Sequence, residues 1–112
     1  MYGEITAYSS SDKYLKTEIQ DFTASSLLNK MNPKTFKWNS TATELNKNKD
    51  SESQNFGLIA QELEEVAPSL VKDMYNGKYK GIDYEQIISV LVQGWKEQQE
   101  RINKLEKYID KK

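Results

Sequence analysis

The sequence predicts an α+β fold: a small antiparallel sheet made of hairpins, with short helices, followed by a long C-terminal helix. Three observations carry that prediction. Asn76-Gly77 stands between two strand-like arms within Leu70 to Ile82. Asp83-Tyr84-Glu85-Gln86 reads as a capping box that opens a helix. From there to the end of the chain, apolar side chains recur with a heptad spacing.

The size and composition limit what such a fold can do. A chain of 112 residues suits one domain with a modest core, which excludes a multidomain enzyme. Its formal net charge of −1 lacks the basic excess of a dedicated nucleic-acid binder. With no histidine and no cysteine, disulfides, zinc fingers, His-based triads and thiol nucleophiles are excluded together. No apolar run is long enough to span a membrane, and the polar stretch Met1 to Ser11 has no signal-peptide character. The chemistry left is that of hydroxyls, carboxylates and amines.

Taken in order, residues 1–10 read as a linker, and Ser9-Ser10-Ser11-Asp12 as a turn or exposed loop. Thr23 to Met31 reads as a short helix capped by Thr23, with Leu27, Leu28 and Met31 on one face and Pro33 beyond its end. Thr35-Phe36-Lys37-Trp38 reads as a half-buried strand with Phe36 and Trp38 on one side. Residues 39–55 hold almost no apolar side chain and are expected to be a mobile loop. Phe56 to Ala60 is an apolar run, expected as a buried strand beside Trp38. Gln61 to Ala67 then suggests a short helix that buries Leu63 and Val66, stopped by Pro68.

The Asn76-Gly77 pair is the usual centre of a type I′ hairpin turn, where both residues need positive φ. Beyond Asp83, only Gly94 interrupts a helical pattern of nearly 30 residues, too long for so small a domain to bury. Ile88, Trp95, Ile102 and Ile109 fall at one heptad position, Leu91 and Leu105 at the other, with Gln98 as the exception. Lying across its own sheet would explain Ile88 and Leu91, but not Ile102, Leu105 and Ile109. The helix is therefore expected to self-associate, and isoleucine with leucine at the seam is a dimer-like pattern.

One arrangement offers a nucleophile. Ser11 and Lys16 stand five residues apart in Ser11-Asp12-Lys13-Tyr14-Leu15-Lys16, a span that a tight turn can bridge. An uncharged amine accepts a hydroxyl proton, as in Ser-Lys variants of the catalytic triad. By itself this spacing recurs by chance in a lysine-rich chain. Glu62, Glu64 and Glu65 read as a solvated helix face. The glycines form no phosphate-cradling loop, and no EF-hand spacing is present, so neither a metal nor a cofactor is expected.

The order of the motifs carries more than any one of them. Ser11-Asp12-x-x-Leu15-Lys16 precedes a short helix, then Pro33-x-Thr35-Phe36-x-Trp38, then Phe56-Gly57-Leu58-Ile59-Ala60-Gln61-Glu62-Leu63. Pro68-x-Leu70-Val71 and Ile82-Asp83-Tyr84 follow, the last opening the long helix. From about Ser11 to Tyr108 this series closely resembles the C-terminal intramolecular chaperone auto-processing domain of phage tailspikes, tail fibres and endosialidases, related to a domain of animal myelin regulatory factor. The resemblance implies a homotrimeric coiled coil, with Ile88, Leu91, Trp95, Ile102, Leu105 and Ile109 at the trimer interface. It also implies a domain that helps an N-terminal fibrous client in the same polypeptide to fold and then cuts itself off. Ser11 matches the family's nucleophile and Lys16 its partner, with Ser10 and Asp12 flanking the cut. Where the heptad hints at a dimer, the trimer implied by the family is the expectation adopted.

If Ser11 attacks the carbonyl before it, a five-membered ring allows an N-to-O acyl shift at Ser10–Ser11. A cut at Ser11–Asp12 needs a serine or water from elsewhere, and both bonds stay open. The expected organisation is residues 1–10 as linker or client end, 11–94 as the auto-processing domain and 95–112 as the coiled-coil part. No fibrous segment precedes Ser11, so the chain is expected to be a fragment. The resemblance places it in a phage tail precursor assembled in the host cytoplasm and released from the mature fibre. A non-catalytic trimerisation module is the alternative, and a plain coiled-coil adaptor a third. Neither nucleic acid nor membrane is an expected partner.

Overall fold

The computed structural model describes residues 10–111. The expected linker at residues 1–10 lies outside the described residues except for Ser10, which is exposed. The fold class is as predicted, α+β, with two small antiparallel sheets and a long C-terminal helix.

After a 3₁₀ turn at Lys13–Leu15 comes helix α1, Ser25–Asn29. It is shorter than the expected span, and Thr23 does not cap it: the N-cap is Ala24, which offers no side-chain acceptor. Strand β1, Lys34–Phe36, pairs antiparallel with β2, Asn55–Gly57, with Thr35 opposite Phe56. Two features of this region differ from expectation. The stretch 39–55 is not all loop, because Asn39 accepts the Ala42 N–H and opens helix α2, Ser40–Leu45. Beyond α2, Lys49 lies over the Trp38 ring at 4.0 Å, and Asp50 accepts the N–H groups of Glu52 and Ser53. Caps, side-chain turns and a cation–π contact thus order a segment that has no core of its own.

The second difference is at Phe56, which is 82% exposed rather than buried. The apolar run is split: β2 ends at Gly57, and Ala60 already begins helix α3, Ala60–Val66. β2 lies beside residues 34–36, while Trp38 stacks edge-on against Phe36 at 4.9 Å. A second 3₁₀ turn, Pro68–Leu70, leads into the hairpin of β3, Val71–Met74, and β4, Tyr79–Ile82. Lys78 N–H donates to Tyr75 O around Asn76 (φ 59°) and Gly77 (φ 83°), the positive-φ pair expected for type I′. Tyr75 is also left-handed at φ 53°, which stops the ladder at Met74–Tyr79.

Helix α4 runs from Tyr84 to Asp110, 27 residues, with Asp83 as its N-cap accepting the Gln86 N–H. The core is small. Leu63 from α3, Leu70 from the 3₁₀ turn and Ile87 from α4 are its buried centre, flanked by Leu27, Met31, Leu58, Ala67, Val71 and Ile82. Val66 faces outward more than expected, while Leu63 is buried as the helical spacing required. Ile88 and Leu91 are exposed rather than covered by the chain's own sheet: the inner face of α4 carries Ile87 and Gly94, about 100° around the helix from Ile88 and about 40–60° from Leu91.

Candidate functional site

Ser11 and Lys16 are brought together by local geometry. Asp12 is extended (φ −69°, ψ 130°), and its carboxylate accepts the Tyr14 N–H at 2.9 Å, capping the 3₁₀ turn. Leu15 N–H donates back to Asp12 O and Lys16 N–H to Lys13 O, which closes the turn. Lys16 then leaves it in an extended conformation, and its Nζ donates to Ser11 Oγ at 2.9 Å. A 3₁₀ turn advances only about 2 Å per residue, so a long lysine side chain spans the remaining gap. Asp12 thus shapes the turn, while Ser10 precedes it in exposed chain.

Ser11 and Lys16 are both exposed in the single chain. A hydroxyl within hydrogen-bond reach of an amine is the geometry a nucleophile–base pair needs. To act as a base an amine must be uncharged, a form that dry surroundings favour. The pair therefore has its geometry without the dry surroundings.

The second candidate surface is the seam of α4. Ile88, Leu91, Trp95, Ile102, Leu105 and Ile109 are all exposed, Trp95 at 64%. At its upper end Leu28 of α1 joins Ile88, Leu91, Val92 and Trp95 around an open apolar groove of about 560 Å³. Glycine lets α1 approach α4 closely, because a Cβ on Gly94 would overlap Leu28 Cδ1 unless that side chain moved aside. Gly57, in the motif that leads into α3, is also closely bounded, though less tightly than Gly94. A Cβ there would lie 3.1 Å from Phe36 Cε1 and 3.1 Å from Tyr84 Oη, the hydroxyl that accepts the Leu58 N–H.

Sequence reasoning missed Glu97, read only as a heptad flank. Its carboxylate accepts from Ala24 N–H (2.8 Å), Ser25 N–H (2.9 Å), the Ser25 hydroxyl and the Gln93 side-chain amide (2.9 Å). These donors, the Ser25 hydroxyl first and the Gln93 amide next, hold its carboxyl down at about 2. Sequence position does not mark it, since its partners Ala24 and Ser25 lie more than seventy positions earlier. Glu64 on α3 pairs with Lys80 at 3.2 Å, and Lys80 also meets Asp73 at 3.3 Å.

Among the described residues, no group of histidine, cysteine or acidic side chains could hold a metal ion, and no helix is long and apolar enough to cross a membrane. No curated protein matches the chain. A family model described as chaperone of endosialidase, a peptidase family by name, matches residues 11–72. The match opens on Ser11 and runs through the Lys16 turn, both strands of the first sheet, α3 and the start of the hairpin. Spanning more than half of the 112 residues, it shows that the chain belongs to the chaperone-of-endosialidase family.

Proposed function

We propose that this chain is an intramolecular chaperone. It trimerises through α4, assists the folding of an N-terminal fibrous client such as a tailspike or tail fibre, and then releases itself by cutting beside Ser11. The observation that carries this reading is the 2.9 Å contact between Lys16 Nζ and Ser11 Oγ, at the first residues of the family match. The apolar seam exposed along α4 supports the trimer, since an isolated chain would leave it in water. The reading places assembly in a host cytoplasm, with the domain shed from the finished fibre.

In the step at Ser10–Ser11, the Ser11 hydroxyl attacks the Ser10 carbonyl carbon through a five-membered ring and gives its proton to the Lys16 amine. Collapse breaks the carbon–nitrogen bond, and the proton passes from Lys16 to the departing Ser11 amine. Water then opens the ester, giving the Ser10 carboxylic acid and restoring the Ser11 hydroxyl. A cut at Ser11–Asp12 would instead use a hydroxyl or water supplied by a neighbouring copy. Packing of neighbours over the exposed Lys16 would favour its uncharged form, so that cutting follows assembly.

Mass spectrometry of the chain carrying its native upstream segment should show one cut beside Ser11 and name the bond. Ser11→Ala and Lys16→Ala should each leave the chain whole, and a variant that still cuts at that bond overturns the assignment. The solvent exposure of both side chains favours a second reading, a trimerisation module without chemistry. A denaturing gel of the longer chain over time separates the two, because that module never yields a shorter band.

A further inference from the structure

All residues from 10 to 23, including Ser11 and Lys16, are exposed, and the chain first enters the interior at Ala24, which has 0% accessible surface. What holds Ala24 is α4. One carboxylate oxygen of Glu97 accepts the Ala24 N–H at 2.8 Å and the other accepts the Ser25 N–H at 2.9 Å. The Ser25 hydroxyl adds a third bond and the Gln93 amide steadies the carboxylate from one turn earlier on α4. A single bond leaves a swivel, whereas two oxygens on two consecutive N–H groups fix both the position and the rotation of the backbone.

This clamp lies on the helix that carries the seam. Glu97 directly precedes Gln98, which lines the groove with Trp95 and Leu28. Ala24 lies eight positions beyond Lys16, so Lys16 can stand at most about 29 Å from the clamp. The Ser11–Lys16 turn is thereby kept within reach of whatever packs along α4. We propose that Glu97 is a positioning residue for cleavage: it ties the lead bearing Ser11 and Lys16 to the associating helix, so that packing of copies along α4 places the dyad. This rests on the proposed self-cleavage and takes it a step further, by naming what links assembly to the cut.

The test uses Glu97→Gln in the full chain with its upstream segment. Glutamine keeps the size of the side chain but turns one end into a donor that faces the 24–25 donors. Light scattering should report the same oligomer as the unaltered chain, and cleavage should run about tenfold slower or more, the scale expected when a reacting pair is misplaced. The chain has no cysteine, so a spin label at Gln20→Cys in a Ser11→Ala background reports the lead alone. Its spectrum should sharpen when Glu97→Gln is added. Leu63→Ala, which weakens the core without removing any donor or acceptor of the clamp, should lower the unfolding midpoint while leaving the cleavage rate and the label spectrum unchanged. An unaltered chain that stays whole overturns both readings. If the unaltered chain cuts, a Glu97→Gln chain that cuts as fast, or slows with no gain in label motion, overturns this one alone.

Discussion

Glu97 shows how much one side chain can organise when several donors converge on it. Because its carboxyl is held down at about 2 in the folded chain, against 4.5 for an unpartnered glutamate, its contribution to stability is complete above about 4.5. That contribution is lost as the pH falls towards about 2. Asp83 adds to it in the same direction: the Gln86 side-chain amide, and then the Gln86 N–H, hold its carboxyl below the usual range. Acid should therefore loosen both the α1 attachment and the start of α4. Unfolding midpoints measured downward from pH 6 should fall, and the fall between about 4.5 and 2 should be shallower in Glu97→Gln. An equally steep fall in that variant would place the acid sensitivity elsewhere. At this scale the sequence revealed the Asp83 cap, whose partner stands three residues away, but not the Glu97 clamp.

At the scale of elements, α1 is held on α4 by the clamp and by the close approach at Gly94. Alanine at Gly94 would gain about 1 kcal/mol of helix propensity. It would also oblige Leu28, which borders the open groove, to change rotamer at a cost of about 0.5–1.5 kcal/mol. The net change in denaturant unfolding should therefore be small. Gly94→Val has no such escape, with Leu28 and Ala24 both against it, and should destabilise by about 1–3 kcal/mol. The hairpin was legible because Asn76-Gly77 states its own dihedral angles. Helix α2 was not, because it is set by an Asn39 cap and by Lys49 over Trp38 rather than by an apolar stripe.

At the scale of the molecule, the chain is extended. Its radius of gyration is 18.8 Å, where a compact chain of this length has roughly 13 Å. Its accessible surface is 9717 Å², against about 6,300 Å² for a compact monomer of this size. A core centred on three buried residues leaves most of α4 uncovered. If copies pack along that helix, Ile102→Asp should abolish association in light scattering and stop cleavage in the same samples. Dilution of the unaltered chain should slow the initial cleavage rate in step with loss of the oligomer. Cleavage that persists at full rate in a monomeric Ile102→Asp chain would separate the cut from assembly.

By itself the sequence determined the elements whose cause is local or periodic: the Asn76-Gly77 hairpin, the Asp83 helix start, Leu63 on α3 and the heptad of α4. It also put Ser11 and Lys16 within one turn of each other, since five residues is a distance that backbone geometry can close. Only the tertiary structure decided which side of α4 faces the core. Ile87 and Ile88 are equally apolar, and the buried stripe passes through Gly94 and then Glu97, which hydropathy does not mark. The tertiary structure alone also decided what holds α1. Its N-terminal N–H groups need acceptors, Ala24 supplies none, and the carboxylate that meets them belongs to a distant part of the chain.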